Sequence, residues 1–215
     1  MRERFRIQVR DEVKRAALHQ LAESGPQGLS VNAIAKELGV SGPALYRYFA
    51  GRDELLTELI IDAYDDLADA LEHALAAGPD RAAPDHLRAL ARAYRDWAIT
   101  QPHRYRLLFA PPLPGYDAHA ERFVTAAQRS MSTLVEVLRA MPADDRRGPP
   151  TRALAHQLDA WARRRGLDTD PAVALRAVAV WARLHGLVSL EIAGNFDSMG
   201  LDAEQVFESE LSAAL

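Results

Sequence analysis

The run from Leu29 to Leu56, LSVNAIAKELGVSGPALYRYFAGRDELL, constrains this chain more than any other stretch. Its apolar, capping and glycine positions fit two short helices around a tight corner, followed by a long helix. Ser30 is expected to cap the first short helix through its hydroxyl, with Ala33, Ile34 and Leu38 on the buried side. Gly39 follows where a left-handed backbone is least costly, and Val40 is expected to plug the corner. Ser41 stands where it can cap the second helix, and Pro43 lies in its first turn, where a missing N–H costs nothing. Leu45 and Phe49 are four apart and face the core, which leaves Gly42, Pro43, Ala44, Tyr46, Arg47 and Tyr48 outward.

This is the layout of a helix-turn-helix that reads DNA. Small residues at the start of a short helix permit close approach to the bases, while phenols and a guanidinium reach phosphates or base edges in the major groove. A compact three-helix corner whose aromatics only pack fits the bare pattern as well. The longer run from Leu29 to Leu55 resembles the DNA-binding head of the tetracycline-repressor (TetR) family of bacterial transcription regulators. The resemblance implies a supporting first helix at about Gln8 to Glu23, and a fourth helix leading into a regulatory domain. It therefore implies a head over residues 1–52 and a regulatory and dimerisation domain over 53–215. It implies base contacts from Asn32, Gly42, Ala44, Arg47 and Tyr48, phosphate contacts from Ser30, Tyr46 and Arg52, and close packing of Pro43 on the groove, with Ser41 completing the set. Gly42 departs from relatives that carry a base-reading side chain there.

Beyond the head the chain reads as helix after helix, so the expected class is all-α. Leu55, Leu56, Leu59, Ile60, Ala63, Leu67, Leu71 and Leu75 recur at three- and four-residue intervals, predicting a helix from Asp53 to Ala77 that Gly78-Pro79 ends. Further helices are expected at about Pro84–Gln101, His103–Ala110, Ala118–Met141, Thr151–Gly166, Pro171–Gly194 and Ala203–Leu211. Breaks carry Pro or Gly, as in the PPLPG loop from Pro111, and residues 142–151 are expected to be mobile.

The formal net charge of −4 sits oddly with DNA until it is divided along the chain. Residues 1–60 hold nine Arg/Lys against eight Asp/Glu, whereas 61–215 hold seventeen against twenty-two, so the acidic balance belongs to the larger part. Arg2, Arg4, Arg6 and Arg10 form an expected tail that lies along the DNA backbone, enters a minor groove, or frays into solvent. No apolar run reads as long enough to span a bilayer and MRERFRIQVR holds no apolar signal core, so no membrane partner and a cytoplasmic location are expected. There is no cysteine. The seven histidines show no zinc-protease spacing, and neither a Gly-x-Ser-x-Gly nor a phosphate-binding glycine loop occurs, so no enzyme, metal or cofactor is expected.

The second half carries its own resemblance. Trp181 to Gly186 (WARLHG), running on to Phe196, with HRYRLLF from His103 and PGYD from Pro114, looks like the regulatory domain of TetR-type regulators with a Trp/His/Gly motif. Trp181 and His185 share a helix face, and Gly186 would let another helix approach; a packed core Trp beside a hydrogen-bonded His fits the same residues. Pocket candidates for an apolar or aromatic effector are Tyr94, Trp97, Tyr105, Phe109, Phe123, Met131, Trp181 and His185, with Arg129 and His103 as polar anchors. Each is equally a core residue of a helical bundle. One short recognition helix reads few base pairs, so a two-fold dimer on a palindromic double-stranded operator is expected. The segment from Pro171 to Gly194, apolar almost all round, must be buried on two sides; with Thr151–Gly166 it is the expected four-helix interface. The function expected is a ligand-responsive homodimeric repressor, the alternatives an architectural DNA binder without an effector and, further off, an all-α small-molecule binding protein or enzyme.

Overall fold

The computed structural model describes residues 2–109, 121–142 and 148–213. Among the described residues every regular element is helical. The helices are α1 (Arg2–Ser24), α2 (Val31–Glu37), α3 (Gly42–Leu45), α4 (Arg52–Ala76), α5 (Ala83–Thr100), α6 (Pro102–Phe109), α7 (Glu121–Arg139), α8 (Arg152–Arg164), α9 (Pro171–Ile192), α10 (Asn195–Ser198) and α11 (Ala203–Ala213). A 3-10 turn, Pro26–Gly28, joins α1 to α2.

Local chemistry accounts for the boundaries. The Ala33 N–H donates to Ser30 Oγ at 3.2 Å, so the expected cap of α2 forms. Asp170 accepts from the N–H groups of Ala172 and Val173 at 2.8 and 2.9 Å, with Pro171 next in line, and α9 starts there. Thr151 caps α8 through the Leu154 N–H at 3.3 Å. Asp202 does the same before α11, and the Gln205 backbone N–H foremost holds its carboxyl below the ordinary carboxylate value. Gly39 has φ +68°, the left-handed corner between α2 and α3.

Several local expectations are corrected. The first helix starts at Arg2, six residues before Gln8, so the arginine tail is helical. Ala33 is exposed, and Val31 and Ala35 take the buried side of α2 beside Ile34. Val40 is 41% exposed and plugs nothing, because the Val40 N–H closes the turn on the Ala35 carbonyl and turns the side chain out. Ser41 precedes α3 without a side-chain cap; its carbonyl accepts from Ala44 and Leu45 instead. The 3-10 turn and α10 lack a periodic signature, being too short to show one. The PPLPG loop and the PGYD segment lie outside the described residues, as do residues 143–147 of the stretch 142–151.

The chain forms two compact units, and the division falls inside α4, between Tyr64 and Asp65. The first unit holds α1, α2, α3, the first half of α4 and, returning from later in the sequence, α6. Its core joins Val13, Ala17 and Leu21 of α1 to Ile34 of α2, Leu45 and Phe49 around α3, and Leu55, Leu56 and Leu59 of α4; α6 adds Leu107. A boundary at residue 52 therefore cuts a core that continues along α4 and into α6.

In the second unit α9 packs on α5, α8 and α10. Bidentate ion pairs tie Arg95 to Glu191, at 2.9 and 2.7 Å, and Arg92 to Glu208, at 2.7 Å for both bonds. The Trp97 indole donates to Asp66 at 2.8 Å. Contrary to expectation, α9 is long and apolar enough, by length and composition, to cross a membrane. Its buried residues, Ala174, Ala177, Leu184 and Val188, make one face, so the unit covers α9 on one side only.

Candidate nucleic-acid interface

Leu45 and Phe49 are each 1% exposed and anchor α3 into the first unit's core. α3 itself is a single turn, and the bonds Arg47 N–H to Ala44 and Tyr48 N–H to Leu45 carry it on as a tighter coil to Phe49. That geometry turns Ser41, Pro43, Tyr46 and Arg47 to solvent and leaves Gly42, Ala44 and Tyr48 half-buried. Asn32, on α2, is exposed beside them. A Cβ at Gly42 would lie 3.1 Å from Asn32 Oδ1, tighter than ordinary contact. The missing side chain at Gly42 thus has a local cause: it leaves room for the amide of Asn32. Two positions ten apart in sequence become one surface.

Three of the residues expected at the DNA have other partners. Ser30 Oγ caps α2, while the Ser30 N–H donates to Gln20 Oε1 at 3.1 Å. The Arg52 guanidinium donates through Nη2 to the Pro26 carbonyl, and its Nε is buried without a partner. Tyr48 packs against the core and its carbonyl accepts from Arg10 Nη1 at 2.6 Å. Arg47, by contrast, is exposed and its side chain makes no hydrogen bond or ion pair among the described residues, and Tyr46 is 46% exposed. Arg10, expected in a DNA-facing tail, is instead turned into the unit; sequence reasoning missed this because its partners stand 38 and 48 positions away.

The pocket candidates divide between the units. Tyr94 and Trp97 are buried in the second unit, where Met131 is half-buried. Tyr105 and Phe109 belong to the first, their rings 4.9 Å apart, and His103 beside them is exposed. Phe123's side chain lies outside the described residues. A cleft of about 520 Å³ opens between α4 and α7, lined by Glu72, Thr125, Gln128, Arg129, Thr133 and Glu136 among others. Its lining residues other than Leu75 are polar or charged, and of the candidates it includes Arg129 alone. Arg129 donates to Asp69 and Glu72 at 2.8 Å each, and these carboxylates, Asp69 first, hold its proton more tightly than usual.

Trp181 is 38% exposed and stacks on His185, with ring centroids 5.6 Å apart and planes 17° apart. Around Gly186 the space that a Cβ would enter is open. The packed core Trp and the close helix crossing are therefore corrected: within the protomer Trp181 is exposed and the space at Gly186 is open, while Leu184 is buried and His185 half-buried.

Comparison with known proteins places these features in a family. Residues 15–59 match the bacterial regulatory proteins of the tetR family, and residues 87–214 match the tetracyclin repressor-like C-terminal domain. The chain belongs to the TetR family of transcription regulators. It is 34% identical over 213 residues to the HTH-type transcriptional regulator Rv1816 of Mycobacterium tuberculosis, covering 95% of this chain and 90% of that protein. The crystal structure of SCO4313, assigned as a regulatory protein, matches at a TM-score of 0.85 with 44% identity, over 100% of this chain and 98% of the other. A tetR-family regulatory protein from Rhodococcus RHA1 shares the fold at a TM-score of 0.63 and 18% identity, over 95% and 94% of the two chains. As a TetR-family regulator the chain binds DNA through its helix-turn-helix, α2 and α3, and carries a helical C-terminal domain.

Proposed function

We propose that this TetR-family regulator is a homodimeric, cytoplasmic repressor, neither an enzyme nor a cofactor protein, whose grip on a palindromic operator is relaxed by a small-molecule effector. The observation that carries the DNA part is the outward set Asn32, Ser41, Pro43, Tyr46 and Arg47, backed by the buried anchors Leu45 and Phe49. In this reading Arg47 and Asn32 meet base edges, Gly42, Pro43 and Ala44 let the backbone approach, and Tyr46 and Ser41 hold phosphates. Ser30, Tyr48 and Arg52 position the helices, with contacts to DNA only from what their internal bonds leave over.

The bare Trp181 face of α9, with α8, supports the dimer, since a two-fold interface here would cover apolar surface that the protomer leaves open. An effector bound in the second unit would act by preferring one separation of the two recognition helices over another, and a preference of a few kcal/mol suffices. Tyr94 and Trp97 suit an apolar or aromatic effector, and the cleft beside Arg129 a polar one.

The test is fluorescence anisotropy of the protein on its own upstream intergenic DNA across a salt series, with scrambled DNA as control. Tight, salt-steep binding of a dimer to the first DNA only is expected. Arg47→Ala should then cost about 1–3 kcal/mol at one operator position and little at the others. Equal weak binding to both DNAs would favour an architectural role.

A further inference from the structure

Arg10 stands more than two turns inside α1, away from the exposed face of α3, yet its guanidinium meets three groups at once. Nη1 donates to the Tyr48 carbonyl at 2.6 Å, Nη2 pairs with Glu58 of α4 at 2.9 Å, and the guanidinium carbon lies 4.4 Å from the Phe49 ring centroid. Glu58 is shared with Lys14 at 3.2 Å, and Lys14 reaches on to Asp62 at 2.8 Å. Burial pushes the Glu58 carboxyl up, but the bonds from Arg10 and Lys14 outweigh it and leave the group below its ordinary value, charged at neutral pH. The Tyr48 carbonyl belongs to the open coil that follows α3, where a helix of one turn offers no further backbone donor.

From this geometry we infer that Arg10 is a positioning residue for DNA recognition: held by Glu58, it fixes the carboxyl end of the recognition helix, and with it the aim of Tyr46 and Arg47. The inference rests on the reading that α3 faces the groove. Electrostatics and positioning predict opposite signs at Glu58. Glu58→Gln removes a negative charge from the DNA-binding unit, so a purely electrostatic role would tighten binding. Loss of the anchor for Arg10 weakens it.

The experiment compares wild type, Arg10→Met, Arg10→Lys, Glu58→Gln, the Arg10→Met Glu58→Gln double variant and Arg47→Ala in operator anisotropy over a salt series, with circular dichroism melts setting a temperature at which each is folded. Arg10→Met and Glu58→Gln are both expected to lower operator affinity about tenfold, with the double variant no worse than either. Their salt slopes should match wild type, and Arg10→Lys, which keeps the charge but lacks the planar fork, should restore only part of the affinity. Tighter binding by Glu58→Gln, wild-type affinity in Arg10→Met, or a slope about 0.9 shallower in Arg10→Met, the mark of a lost phosphate contact, would each overturn the assignment. Unchanged binding by Arg47→Ala would instead refute the orientation of α3 itself, which separates failure of that reading from failure of this one.

Discussion

Two exposed aromatics sit on very different ground. Tyr46 follows a four-residue helix whose outward neighbours are Ser41, Pro43 and Arg47, whereas Trp181 lies on a 22-residue helix, stacked on His185 one turn on. The first surface is rich in hydrogen-bonding groups over a rigid apolar floor. The second is an exposed ring on a largely apolar helix. Exposure alone thus says little about partner; what surrounds the exposed ring separates a face rich in hydrogen-bonding groups from a largely apolar one.

The comparison can be broken first at the floor under α3. Phe49→Ala removes a ring that is 1% exposed and lies under Arg10, and should destabilise the first unit by about 3–5 kcal/mol, seen in denaturant melts, with specific DNA binding lost alongside. Retained stability would mean that α3 is not held by its core. At the other face, Trp181→Ala should leave the protomer's helicity intact and weaken self-association by about 2–4 kcal/mol, read by sedimentation over a dilution series. An unaltered dimer would place the interface elsewhere.

Arg52 sharpens the boundary between contact and support. With its guanidinium on the Pro26 carbonyl, Arg52→Ala should cost stability on the order of 1–2 kcal/mol and leave the salt slope of DNA binding unchanged. A slope shallower by about one would restore it to the phosphate contacts.

The smallest effect is one of pH. Burial lowers the pKa of His185 below its ordinary 6.5, so folding favours the neutral ring. Its contribution to stability is complete above about pH 6.5, where the unfolded chain is also neutral, and is lost as the pH falls toward the lower folded value. His185→Leu should flatten the melting temperature between pH 7.5 and 5.5, and an identical pH dependence in the variant would exclude His185 as its source.

How much of this was legible depends on the range of the interaction. The Ser30 cap, the Gly39 corner, the Leu45 and Phe49 anchors and the limits of α4, α5 and α9 are local, because each follows from neighbours within a turn or two. Of the outward set on α3 the same periodicity accounts for Pro43, Tyr46 and Arg47, while Gly42, Ala44 and Tyr48 are half-buried. Arg52 and Tyr48 were legible as residues of the right chemistry in the right place but not as residues already engaged, since the Pro26 carbonyl is 26 positions from Arg52. Gly42 read as a missing base contact until the amide of Asn32 filled the space beside it.

By itself the sequence determined the all-helical architecture, the helix-turn-helix and the side of α3 that meets solvent, because 3.6-residue periodicity, caps and a left-handed glycine act over short range. Tertiary structure alone decided that α6 returns to complete the first unit's core through Leu107, that Arg10 turns inward to hold Tyr48, and that α9 is covered on one side only. Those depend on contacts between segments far apart in the chain. An arginine or an apolar face has the same signature in sequence whether solvent, another helix or a carboxylate lies against it.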